Sequence, residues 1–312
     1  MKAAQITKYG GKDVLQTVDD APKPTAGAGQ VLVEVHAAAV NPFDWKVREG
    51  YMKEMVALAL PATLGGDFAG TVAELDEGVT DLAVGDAVYG QANALSGQGS
   101  YAEFTPVKAE AVAPTPKSVD LTTAAALPLA GVSAYQALVE HLGLKSGQKI
   151  LIHGGAGGIG SFAIQLAKHL GAHVATTASA EDTEYVKGLG ADEVIDYKTQ
   201  KFEDALKDYD AVYDTVGGET YTRSFQVLKR GGTIVSMTEK PNQELMQKHG
   251  VTAIAQATRV NPERLHKLAE LVDQGAIKVN VDKTFPLEQA SEALEYIREG
   301  HHKGKVVLKI KD

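Results

Sequence analysis

The chain has 312 residues, with 31 Lys and Arg against 40 Asp and Glu, a formal net charge of −9. That length holds one large domain or two ordinary ones, and the acidic balance argues against nucleic acid as a partner, which needs a basic surface. No cysteine is present, which excludes disulfides, a thiol nucleophile and any zinc site built on thiolates.

Up to about residue 120, short strand-like runs dominate. Residues 31–35 are rich in branched side chains, and 70–75 follow a glycine turn. Residues 85–90 and 101–107 have the same texture, and Pro114-Thr115-Pro116 closes this β-rich stretch. From about residue 121 strands and helices alternate. Strands are expected at 149–153, 174–177, 194–196, 211–214 and 233–236. Helical spacing marks 158–170, through Ile159, Phe162, Ala163, Leu166 and Leu170, and then 181–188. This alternation predicts a parallel, doubly wound sheet. Two helices, 262–273 and 287–299, and a strand at 306–310 complete the chain. Residues 121–139 and 150–167 are uncharged, but Pro128, Gln136, His153 and the glycines make them too polar to cross ~30 Å of hydrocarbon. No membrane association is expected. Residues 1–20 contain no apolar core of signal-peptide length, so a cytoplasmic protein is expected.

The strongest chemical signal is Gly155-Ala156-Gly157-Gly158-Ile159-Gly160, which fits G-x-G-x-x-G. It follows the apolar strand Ile150-Leu151-Ile152 and opens an amphipathic helix, the context a dinucleotide site requires. Absent side chains let a pyrophosphate reach the backbone, and free N–H groups at the helix start hold it. An NAD site places Asp or Glu about 20 residues beyond the glycines, on the ribose diol. Here that position falls near Ala178-Ser179, with no acid until Glu181. The missing carboxylate and the Ser179 hydroxyl favour a 2′-phosphate, hence NADPH, with Lys198 beside Tyr197 as a candidate cation. Ser179 with Asp182 equally reads as a capping box, and the two roles can coexist.

Taken together, the sequence resembles the zinc-independent, zeta-crystallin-like quinone oxidoreductases of the medium-chain dehydrogenase/reductase superfamily. The resemblance rests on residues 40–51 (VNPFDWKVREGY), 64–70 (LGGDFAG), 127–135 (LPLAGVSAY), the glycine loop and 304–308 (GKVVL). It implies a GroES-like β-rich catalytic domain over residues 1–121, completed by 259–312, and a Rossmann nucleotide-binding domain over 122–258, with the cofactor in the cleft between them and a homodimer as the assembly. In the zinc alcohol dehydrogenases a Cys near the Asn41 position and the His of a Gly-His-Glu near Gly65-Gly66-Asp67 hold the metal. Asn41 and Gly66 replace both here, and the lobe that carries the structural zinc is missing from residues 90–100. Without a Lewis acid, an alcohol is hard to oxidise, whereas a quinone or α,β-unsaturated carbonyl needs only hydride, hydrogen-bond donors and a proton.

The expected activity is therefore NADPH-dependent reduction of a small quinone or enone. The other reading is a non-catalytic NADPH-binding protein of structural or regulatory role. The resemblance places Asn41, Tyr51 and Asp44 in the catalytic set. Asn41 holds the substrate carbonyl or the nicotinamide ribose, or else caps the turn that follows it. Tyr51 lines the pocket or supplies a proton, or is an ordinary core or surface tyrosine. Asp44, like Asp67, reads more as a turn or supporting acid than as a catalyst. Toward the cofactor the resemblance places Ser133 near the nicotinamide, Tyr197 by the 2′-phosphate, and Val216-Gly217 near the ribose. Lys305 reaches the phosphates or is a solvated lysine. Tyr197-x-x-x-Lys201 matches a short-chain dehydrogenase pair, but the glycine loop stands too late in the chain for that family. His301-His302 has no helical His or acid partner and reads as a solvated tail rather than a metal site.

Overall fold

Branched residues from Val31 onward build the longest strand of the fold, and only Glu34 and His36 interrupt its buried run between Val31 and Val40. A strand covered on both faces reads as nearly continuous apolar sequence. The computed structural model describes residues 1–300 and 302–311. The chain groups into two units, one of residues 1–129, 260–273 and 279 onward, the other of 130–259 and 274–278.

The first unit starts with β1 (Ala3–Ile6), β2 (Leu15–Val18) and β3 (Gln30–Val40), then α1 (Pro42–Arg48). β4 (Ala62–Thr63), β5 (Asp67–Leu75), β6 (Ala87–Gln91), β7 (Phe104–Lys108) and β8 (Val112–Pro114) follow, and α2 (Leu121–Ala125) packs on β3 and β5. That packing puts residues 121–129 with this unit, whereas the sequence suggested a change of domain at 121/122. The chain leaves the unit within α3 (Pro128–Tyr135).

The second unit is built on β9 (Lys149–Ile152), α4 (Gly158–His169), β10 (His173–Ala178), α5 (Thr183–Gly188), β11 (Glu193–Asp196), α6 (Phe202–Ala205), β12 (Tyr209–Asp214), α7 (Gly218–Ser224), β13 (Leu228–Ser236), α8 (Gln243–His249) and β14 (Thr252–Ala255). Its six strands lie in the order β11-β10-β9-β12-β13-β14, parallel throughout. The order reverses beside β9, so the loops after β9 and β12 flank the switch point where such sheets bind ligands. Residues 274–278 join this unit because Gln165 Nε2 donates to the Lys278 carbonyl at 3.0 Å and Lys278 N–H returns a bond to Gln165 Oε1 at 2.8 Å.

The chain returns to the first unit through α9 (Pro262–Asp273), β15 (Val281–Pro286), α10 (Ala290–Glu299) and β16 (Lys305–Lys309). The large sheet there runs β15-β16-β3-β5-β6-β8, with β7 also on β3. β16 lies antiparallel to the end of β3, Val306 opposite Val40. Val33, Val35, Leu64, Phe68, Leu294 and Val306 lie in the core beneath it. Each contributes about 1.5–3 kcal/mol by leaving water. Tyr101, read as part of a strand from 101, lies outside β7 and instead exchanges backbone bonds with Leu64 and Ala4. No described helix is long and apolar enough to cross a membrane.

Candidate functional site

In the nucleotide-type unit, β9 delivers the chain into the glycine loop and α4 takes it away. A side chain at Gly160 would lie 2.2 Å from the Gly154 carbonyl oxygen, and one at Gly155 would lie 2.1 Å from Thr176 Oγ1. Those two glycines let strand and helix approach. At Gly157 an added Cβ would touch only the Gly154 carbonyl oxygen, at 3.4 Å, so a side chain fits there without a clash. Gly157 is also the N-cap of α4 and no side chain caps the helix start, so the first N–H groups, from Gly158, Ile159 and Gly160, point onward from the loop. With Ala156 they form a cradle of the kind that holds anions.

Two neighbours fix this loop. Thr177 Oγ1 receives the Gly154 N–H at 3.1 Å, and Thr215 Oγ1 donates to the His153 carbonyl at 2.9 Å, tying the loops after β9 and β12 together. His153 is fully buried; burial and the nearby Arg223 push its imidazole down to about 3. It stays neutral between Thr177 and Ser224. Ser224 donates to the Thr220 carbonyl, which assigns the ring proton to Nε2. After β12, the buried Asp214 receives the N–H groups of Val216 (3.0 Å) and Gly217 (2.9 Å) and the Ser236 hydroxyl (2.7 Å). Gly217 has φ +84°, a conformation that glycine adopts without strain. The Val216 side chain stays exposed.

The other cofactor candidates fall into different environments. Ser133 is buried, its Oγ 2.7 Å from Thr258 Oγ1, with Gln256 Nε2 donating to its carbonyl at 3.0 Å. Tyr197 is exposed at the end of β11. Ser179 holds the N-cap position of the turn 180–182, but its hydroxyl receives no backbone N–H; it donates to Asp182 Oδ2 at 2.6 Å.

In the first unit, the chemistry of residues 40–51 and 64–70 converges. Asp67 is fully buried and receives Asn41 Nδ2 at 2.9 Å, Gln91 Nε2 at 3.2 Å and the Leu129 N–H at 3.1 Å. Lys305 projects from β16 into the same cluster, 4% exposed, donating to Asn41 Oδ1 and lying 4.0 Å from Asp67. The Asn41 side chain thus bridges ammonium and carboxylate, and Lys305 is not a solvated lysine. Asp44 Oδ2 receives the Asn41 N–H at 2.8 Å and the Tyr101 hydroxyl at 2.7 Å. Burial raises the carboxyl of Asp44 to about 7 and also raises that of Asp67, where Lys305 opposes the shift; burial lowers Lys305. Asp67 has more donors and the ammonium, so the proton that this cluster takes first belongs on Asp44. Tyr51 is exposed, its ring edge-on to Trp45 at 5.8 Å.

The models "Alcohol dehydrogenase GroES-like domain" and "Zinc-binding dehydrogenase" match residues 27–117 and 189–308. A 2-methylene-furan-3-one reductase of Solanum lycopersicum is 40% identical over 99% of this chain and 79% of its own length. The chain belongs to the medium-chain dehydrogenase/reductase superfamily. An Arabidopsis thaliana NADPH-dependent alkenal/one oxidoreductase is 38% identical over the same shares. The solved quinone oxidoreductase of Coxiella burnetii matches with a TM-score of 0.92 at 36% identity, over 100% of this chain and 99% of that one. In this superfamily member the donor set does not fit a catalytic zinc. Gly66 has no side chain, and the Asn41 oxygen already receives the Lys305 ammonium. Among the described residues no three His, Asp or Glu side chains converge as metal donors. His301 lies outside the described residues; His302 is half-buried, and burial lowers its imidazole. The sequence reading missed Tyr101, Gln91 and the burial of Lys305. A lysine directly ahead of the apolar run Val306-Val307-Leu308 was the available signal for the last.

Proposed function

We propose that this chain is an NADPH-dependent reductase of quinones or α,β-unsaturated carbonyls that works without a catalytic zinc ion. The observation that carries the reading is the uncapped start of α4, opened to an anion at Gly157 beside the switch point of the sheet. Its relatives named as alkenal/one, furanone and quinone reductases favour turnover over mere binding.

The α4 N–H groups hold the pyrophosphate, and the Asp214-shaped backbone at Val216-Gly217 serves the ribose. Ser133 and Thr258 border the nicotinamide end. Bound NADPH supplies the hydride. The protein supplies the one proton that completes the reduction and donors for the developing oxyanion. Asn41 is held in one orientation by Lys305 and Asp67, Asp44 with Tyr101 keeps a proton available near neutral pH, and Tyr51 offers an exposed phenol. The assembly belongs to the same proposal: a homodimer through the outer strand β14, in a cytoplasmic protein.

The test is loss of the reduced-nicotinamide absorbance on adding a naphthoquinone, an enone and an alkenal in turn. Turnover with at least one is expected. Tight NADPH binding with none of them turned over would establish a binding protein instead.

A further inference from the structure

A primary amide is nearly symmetric in shape, so its neighbours decide which end is oxygen and which is nitrogen. At Asn41 they leave one answer. β16 runs antiparallel to β3 with Val306 opposite Val40, which brings Lys305 across from Asn41. The Lys305 ammonium has donors only; it gives them to Asn41 Oδ1 and, at 3.4 Å, to the Val40 carbonyl. On the other side the Asp67 carboxylate accepts from Asn41 Nδ2 at 2.9 Å. The backbone N–H of Asn41 is spent on Asp44 at 2.8 Å. Asn41, Asp44, Asp67 and Lys305 are all buried, so water does not compete for these bonds. A reversed amide would set its oxygen against a carboxylate and its NH2 against an ammonium. With Oδ1 on the cation and one Nδ2 hydrogen on Asp67, the second Nδ2 hydrogen is the donor that remains. The ammonium beside Oδ1 also draws charge through the amide and strengthens that N–H.

We propose that Lys305 is a positioning residue for the acceptor's carbonyl group: acting through Asn41, it presents an N–H, and not an oxygen, to the charge that develops on the carbonyl oxygen during reduction. The proposal rests on the reductase reading above. It assigns Asn41 to the acceptor rather than to the nicotinamide ribose, and it gives Lys305 no part in holding the cofactor phosphates. The balance of the reaction is unchanged: hydride brings the electron pair to the conjugated system, and one proton then neutralises the oxyanion.

Kinetics of the full chain with NADPH and a naphthoquinone or enone test this, in wild type, Asn41→Ala, Lys305→Met and the double variant, with NADPH affinity measured by calorimetry. Methionine keeps the bulk of the stem without a donor; once the cation is gone Asp67 takes up a proton, and the amide is free to flip. Each single change should lower kcat by about a hundredfold, as loss of one oxyanion donor does, with the NADPH dissociation constant within about twofold of wild type. The double variant should be no slower than the slower single one, because Lys305 acts through Asn41. Losses that multiply would overturn the proposal, and so would weakened NADPH binding with kcat kept. Should Lys305→Met fail to fold, nuclear magnetic resonance of the wild-type Asn41 side-chain amide, identified by its loss in Asn41→Ala, decides. Its N–H signal should shift further when a saturated ketone joins NADP+, and a shift complete with NADP+ alone would overturn the proposal. A wild type that binds NADPH but reduces no acceptor would overturn the reductase reading, and the proposal with it.

Discussion

Two glycines of one loop do different work, and single substitutions separate them. A side chain at Gly157 meets only the Gly154 carbonyl oxygen, at 3.4 Å, so Gly157→Val should abolish detectable NADPH binding while the thermal midpoint stays within a few degrees, read by calorimetry and circular dichroism. Gly160→Ala pushes a methyl against the Gly154 carbonyl and should destabilise the protein by about 1–3 kcal/mol in urea unfolding. Unchanged NADPH affinity in the Gly157 variant would refute the loop assignment. A second residue-scale test concerns Asp44, whose carboxyl is held at about 7 in the folded protein against an ordinary 3.8. The folded state binds this proton more tightly than the unfolded state does. Stability therefore falls as pH rises from about 4 to 7, by up to ~1.4 kcal/mol per pH unit. Asp44→Asn should remove that slope, and a slope persisting in urea titrations across pH would assign the proton elsewhere. The glycine motif was legible because missing side chains leave a mark in sequence. The contact of Lys305 with Asn41 was not, because it joins residues 264 apart.

At the scale of elements, periodicity located β9, α4, β10 and β12 closely, since buried strands and an amphipathic helix leave strong patterns. It missed the reach of β3, whose far half, Ala37 to Val40, pairs with β16, about 270 residues later, and at Ala37 and Ala38 also with β5. Helix α1 shows another non-local effect. Its Arg48 is fully buried, and Nη2 bonds Glu295 of α10 at 2.7 Å and Glu49 at 3.2 Å. Arg298 of α10 also reaches Glu49, at 2.8 Å. Nothing in the local pattern of residues 42–48 announces a buried guanidinium. Glu295→Ala leaves that charge with Glu49 alone and should cost about 2 kcal/mol, somewhat below the usual cost of breaking a buried pair because Glu49 remains. Equal urea midpoints for variant and wild type would show that Glu49 suffices.

At the scale of the whole molecule, the absence of cysteine, the engaged Asn41 oxygen and the bare Gly66 lead to one expectation about metals. Dialysis against a strong chelator should leave both the thermal midpoint and the reductase rate unchanged; a loss of rate restored by zinc would reopen the metal question. The return of the chain to its first unit was legible only through family resemblance, because no local pattern encodes which early strand a late one joins. That return also has a consequence for synthesis. The parallel sheet is complete once residue 259 has left the ribosome tunnel, and only 274–278 are still to join that unit. The partner that locks Asn41 in place, Lys305, is translated 264 residues after it. A nascent polypeptide therefore has its glycine cradle before its other half can close, and the Ala37–Val40 half of β3 waits with one edge unpaired until residues 306–309 are made, a natural client for a chaperone.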